Sequence, residues 1–125
     1  DAFTLLRGGA VIAAAGTLGV AFAPSPAWAY AAFFVMGIGA SVISPTAFSL
    51  VGRLSDARQR ARAIARATLL GYFGYFFGPP ALGFAAGAFG LPAAFVLTAA
   101  MLSAIFLLAP LMAHHAGGER AAQGT

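Results

Sequence analysis

The sequence predicts an all-α membrane protein with four transmembrane helices, and three observations carry that prediction. Of the 125 residues, 61% are hydrophobic and only 8% are charged, against roughly 25% charged residues in an average soluble domain. Mean hydropathy is +0.89. The charges are gathered into short clusters: Asp1 and Arg7 at the start, Arg53 to Arg66 in the middle, and Glu119 and Arg120 at the end. The uncharged stretches between them reach the roughly 20 residues that cross a bilayer. There is no cysteine, which excludes disulfides and thiolate metal sites. Most of the arginine sits in one membrane-flanking loop, so the basic excess implies no nucleic-acid partner.

The first span is expected over about 5–23. It stops at APSPAW, because Pro24 and Pro26 remove two amide donors and favour extended backbone before them. The second covers about 27–51, with Pro45 inside it. After the basic segment GRLSDARQRAR the third follows over about 63–88, and a short turn, GAFGLP, leads to the fourth over about 92–113, where Pro92 suits a first helical turn. The tail 114–125 is polar and built of small residues, and is expected to be cytoplasmic and without regular structure.

Five of the seven arginines, Arg53, Arg58, Arg60, Arg62 and Arg66, flank the connection between the second and third spans. The positive-inside rule puts that connection in the cytoplasm. Four crossings then place both termini there, with Trp28 and Tyr30 at the outer interface. The implied location is the inner (plasma) membrane, as a multi-pass protein whose first partner is the lipid bilayer. A basic residue, an apolar run and the pattern AWAYA also fit a signal peptide cleaved near Ala29. Three further spans and an initial Asp favour an internal position for Asp1 in a longer protein.

The third span places Gly71, Gly74, Gly78 and Gly83 beside Pro79 and Pro80 in an aromatic-rich run. In water each interior Gly costs about 1 kcal/mol and each interior Pro about 3 kcal/mol relative to Ala. In lipid, small residues at i and i+4 instead let two backbones approach. Gly74 with Gly78, and Gly83 with Gly87, are such pairs. Pro79 and Pro80 leave carbonyls one turn earlier without amide partners, which is tolerated only against protein or a wet cavity. A bent, tightly packed helix lining something is expected; a purely structural kink is the plainer alternative.

Polar groups form stripes. Gly37, Ser41, Ser44 and Phe48 share a face of the second span, with Pro45 beside them, and Thr68, Tyr72, Tyr75 and Pro79 share one of the third. A hydroxyl in hydrocarbon seeks a neighbouring helix, a carbonyl one turn back, or a solute. Ser41, Ser44, Thr68, Tyr72 and Tyr75 are therefore candidates for a transport path, with ordinary hydrogen bonding between helices as the alternative. In the loop, Arg58, Arg62 and Arg66 recur at i, i+4, i+8. They would anchor to anionic headgroups, or pair with acids on another loop as a gate. Asp56 is placed to pair locally with Arg53 or Arg60.

No span holds an acid, a histidine or a lysine in its middle, and such groups normally mark proton relays. Nucleophilic and phosphate-binding constellations are missing from the pattern too. His114 and His115 are adjacent, whereas a helical ligand pair wants i, i+4 spacing, so no metal, no cofactor and no enzymatic activity are expected.

The run GYFFGPPALG, with Gly74, Gly78, Pro79 and Gly83, resembles the glycine and proline motif of major facilitator superfamily transporters, found in the fifth and more loosely in the eleventh helix. MGIGASVISPTAFSLVGRLSD is similar to the family's glycine-rich fourth or tenth helix with its basic cytoplasmic loop, and Asp1 followed by LLRGG resembles the end of the loop before a third or ninth helix. The resemblance covers the chain to about Ala113. Drug antiporters of the family carry an arginine in the fourth helix where Phe33 to Met36 stand here, which favours helices nine to twelve. The resemblance implies a piece of the C-terminal half of a twelve-helix bundle. The whole protein would move a small-molecule substrate by alternating access, with the remaining helices of the parent transporter as partners. It also implies that the tenth and eleventh helices border the central cavity. A small four-helix protein acting as an accessory or oligomeric subunit is the other reading.

Overall fold

A computed structural model describes residues 2–122, with side chains described through Leu108 and at Pro110. Four helices follow one another: α1 (Ala2–Ala21), α2 (Pro26–Leu54), α3 (Arg60–Phe89) and α4 (Leu91–Ala122). No strand occurs among the described residues. α1, α2 and the Leu91–Leu108 part of α4 are long and apolar enough to cross a membrane.

α3 is equally long but falls outside that set. Its glycines, tyrosines and prolines add little hydropathy, and its first turns carry Arg60, Arg62 and Arg66. Even so it runs the height of the bundle. Near its start Ile64 lies beside Gly52 of α2, and at its end a single residue joins it to α4. There α4 meets the opposite end of α2, with Phe33 and Phe95 edge to face at 5.8 Å.

The connections explain the boundaries. Ser25 is extended and its side chain accepts from the Trp28 amide at 3.3 Å, while Pro26 begins α2. Such a cap is worth about 1 kcal/mol. At the basic turn the Asp56 carbonyl accepts from the amides of Gln59 (2.9 Å) and Arg60 (2.8 Å), which starts α3. The GAFGLP turn expected from the sequence shrinks to one residue. Gly87, Ala88 and Phe89 stay helical, and only Gly90 departs, with a φ of 90° that glycine adopts without steric cost. The segment after Ala113, expected to lack regular structure, continues α4 to Ala122. Its alanines, Glu119 and Arg120 are good helix formers, and they outweigh Gly117 and Gly118.

Packing is uneven. α1 is antiparallel to both α2 and α4 and holds most of the buried residues, among them Leu6, Ala10, Ala13 and Thr17. The seam with α2 closes through glycine: a Cβ on Gly39 would stand 2.6 Å from the Gly9 carbonyl oxygen, and one on Gly16 would stand 2.7 Å from Met36 Cα. Real Cβ atoms do not come that close, so only glycine permits this backbone approach. At the basic end Leu6 packs on Leu50, flanked by Phe3, Ile43 and Ile105. α3, by contrast, has no buried residue and touches α2 and α4 only thinly.

Candidate functional site

α2 and α3 diverge enough to leave a groove of about 560 Å³ between them, lined by Ser44 and Phe48 of α2 and by Ile64, Thr68, Gly71, Tyr72 and Tyr75 of α3. Helical spacing puts these residues together. Ser44 and Phe48 are one turn apart, and Ile64, Thr68, Tyr72 and Tyr75 succeed one another on a single face of α3. Gly71 adds no side chain and keeps that wall recessed. At 1.5 Å per residue, Ser44 lies about 15 Å from the end of α2 and Tyr72 about 18 Å from the start of α3.

The chemistry of the groove is neutral and aromatic. Thr68 donates its hydroxyl to the Ile64 carbonyl at 2.9 Å and keeps acceptor capacity only. Among the described residues, the Ser44, Tyr72 and Tyr75 hydroxyls have no hydrogen-bond partner, and all three residues are exposed. Pro79 brings no amide to the carbonyl of Tyr75, one turn earlier. No charged side chain lines the groove. It can hydrogen-bond and stack against a solute, but it offers nothing to neutralise a full charge.

The other residues singled out in the sequence divide. Ser41 lies outside the groove lining, and its hydroxyl bonds back to the Ile38 carbonyl at 2.8 Å. Such a bond to the residue's own helix is common for hydroxyls. Thr17, Thr98 and Ser103 do the same, with Thr17 fully buried. Gly37, Gly71, Gly74, Gly78 and Gly83 meet no atom of another helix within 4 Å, and α2 and α3 stay helical through Pro45, Pro79 and Pro80. Arg53, Asp56, Arg58, Arg62 and Arg66 are exposed around the basic turn. The His114 and His115 side chains lie outside the described residues. Ile64 went unmarked in the sequence because an apolar residue on an apolar helix carries no signal.

The sequence matches the family model described as Major Facilitator Superfamily over residues 3–124. Searches of the curated proteins and of the solved structures return no match. The family match spans nearly all of a chain made of long helices, three of them apolar enough for a bilayer. The protein is therefore a multi-pass membrane protein, and it belongs to the major facilitator superfamily, whose business is membrane transport.

Proposed function

We propose that this chain is part of the C-terminal half of a secondary active transporter, contributing helices nine to twelve of the parent, which moves a small solute by alternating access. The observation that carries this reading is the groove between α2 and α3, whose lining gathers the hydroxyl-bearing residues Ser44, Thr68, Tyr72 and Tyr75. A hydroxyl in hydrocarbon needs a partner, and in the parent a solute or a neighbouring helix would supply it. α3 makes the fourth crossing, shielded by other helices of the parent, so its low hydropathy is no obstacle. The basic turn lies in the cytoplasm of an inner (plasma) membrane protein, with both termini on the same side, and Arg58, Arg62 and Arg66 anchor to headgroups there.

The 125 residues hold no cysteine, so single cysteines introduced here can be read in the parent protein once any cysteine elsewhere in it has been replaced. Cysteines at Ser44, Tyr72 and Tyr75 are expected to react with a water-soluble thiol reagent and to be protected by transported solute, whereas one at Leu107 reacts slowly and without protection. Equal reactivity at all four sites would count against the path. Labelling of a cysteine at Arg58 from outside intact cells would reverse the orientation.

A further inference from the structure

A second cleft, which the transport reading does not use, opens between α1 and α4. It has a volume of about 370 Å³ and is lined by Thr4, Arg7, Gly8, Val11, Ile12 and Phe106. The Arg7 guanidinium carbon stands 4.5 Å from the centre of the Phe106 ring. A ring on α4 thus fixes the direction of an exposed cation on α1, through the attraction of a cation for an aromatic face. One turn along α1, Val11 and Ile12 leave aliphatic surface uncovered, at 49% and 42% exposure. Gly8 meets no atom of another helix within 4 Å, so it leaves space beside them.

The cleft has a definite level in the bundle. Leu6, next to Arg7, packs on Leu50, and Leu50 is within one turn of Arg53 where the basic turn begins. Arg7 therefore lies at the arginine-bearing end, where the apolar helices give way to the headgroup region. Arginines near a span end reach toward that region while their stems lie on apolar surface. Thr4, one turn nearer the end on the same face, adds a hydroxyl.

We propose that this cleft binds an anionic phospholipid, with the phosphate on the Arg7 guanidinium and one acyl chain along Val11, Ile12 and Phe106. The planar fork of a guanidinium matches phosphate oxygens in a bidentate way. Basic clefts between transmembrane helices at a headgroup level are the general setting for such lipids. The apolar slot behind the cation selects a lipid over a free phosphate ion. A zwitterionic lipid would bring its own ammonium beside Arg7, so net negative charge is preferred. The site depends on residence in a bilayer and not on the identity of any transported solute.

The test uses tryptophan fluorescence. In the full-length protein every native tryptophan is replaced by Phe, Trp28 of this segment included, and Phe106→Trp places an indole under Arg7, keeping the cation over an aromatic face. The protein is reconstituted into bilayers of unlabelled phosphatidylcholine doped with brominated phosphatidylglycerol or brominated phosphatidylcholine, and quenching of the indole is followed against mole fraction. Brominated phosphatidylglycerol is expected to half-quench at a mole fraction about fivefold lower, the scale of one arginine near a membrane surface. Adding Arg7→Gln is expected to remove that preference, and Arg7→Lys to retain part of it. Soluble glycerol phosphate is expected to leave the quenching unchanged. Equal quenching by both lipids in the Arg7 protein, or a preference that survives Arg7→Gln, would overturn the proposal. Competition by glycerol phosphate would reassign the site to a free anion. Unchanged helical circular dichroism checks that each variant is folded, and the lipid comparison on the Arg7 protein decides even if a substitution at that residue is not.

Discussion

Gly16 and Gly39 turn their missing side chains against the backbone of a neighbouring helix, whereas Gly71, Gly74, Gly78, Gly83 and Gly87 of α3 face open space. The residue type is the same and the local spacing is similar. On α1 and α2 glycine shortens the distance between two axes and lets Ala10, Ala13 and Thr17 disappear from the surface. On α3 it leaves a bare flank among exposed rings, Tyr72, Phe73, Tyr75 and Phe76. A glycine-rich helix is therefore not evidence of a packed helix. What decides is whether a second backbone lies opposite, and among the described residues the α1 and α2 seam supplies one.

The sharpest way to break the comparison is to add side chains to the seam. Gly39→Leu and Gly16→Leu are expected to abolish the folded hairpin, seen as loss of a monodisperse peak in mild detergent. Gly39→Ala, whose new methyl would overlap the Gly9 carbonyl and the Ala13 backbone, is expected to cost about 3 kcal/mol, the upper range for overpacking where backbone must shift. The drop in thermal midpoint measures it. Gly74→Ala and Gly78→Ala in the same 125 residues are expected to leave the midpoint unchanged or to raise it, by about 1 kcal/mol at most, through helix propensity. In the parent protein those two substitutions are expected to be as harmful as Gly39→Ala, because the remaining helices would then cover the flank. Equal tolerance in both settings would mean that α3 has no partner there.

Smaller effects sharpen the seam itself. Trp28→Phe loses the indole bond to the Gly19 carbonyl at 3.2 Å, which ties the start of α2 to the end of α1, and is expected to cost about 1 kcal/mol in the same melting measurement. Thr17→Val keeps the shape of a fully buried side chain and removes only the bond to the Ala13 carbonyl at 2.7 Å. That carbonyl already accepts from its own helix, so a change of about 0.5 kcal/mol or less is expected.

The contrast also marks what could be read from the sequence. Helix number and order were legible, because Pro24 and Pro26, the arginine segment and Gly90 interrupt apolar runs with residues whose effects are local. The two separate stripes, Ser44 with Phe48 on α2 and Thr68, Tyr72 and Tyr75 on α3, were legible for a similar reason, since each follows the period of its own helix. The seam was not. Which residue of α1 meets Gly39 depends on the axial register of two separate helices, and no periodicity within either one encodes it. Attention goes instead to the dense glycines of α3, which locally look the same. The Arg7 and Phe106 contact was hidden for the same cause, the two residues lying at opposite ends of the chain. The low hydropathy of α3 comes from its glycines and prolines, which contribute little beside its aromatic residues.

Gly90 adds a mechanical constraint. Two rods of about 45 Å are riveted at one vertex by a lone residue whose conformation forbids most replacements. Axial sliding of one rod against the other would tear that vertex apart, since neighbouring Cα atoms are fixed about 3.8 Å from each other. What is left is a scissor motion, widest at the far tips, and any swing of α3 delivers its largest displacement to the arginine-bearing end.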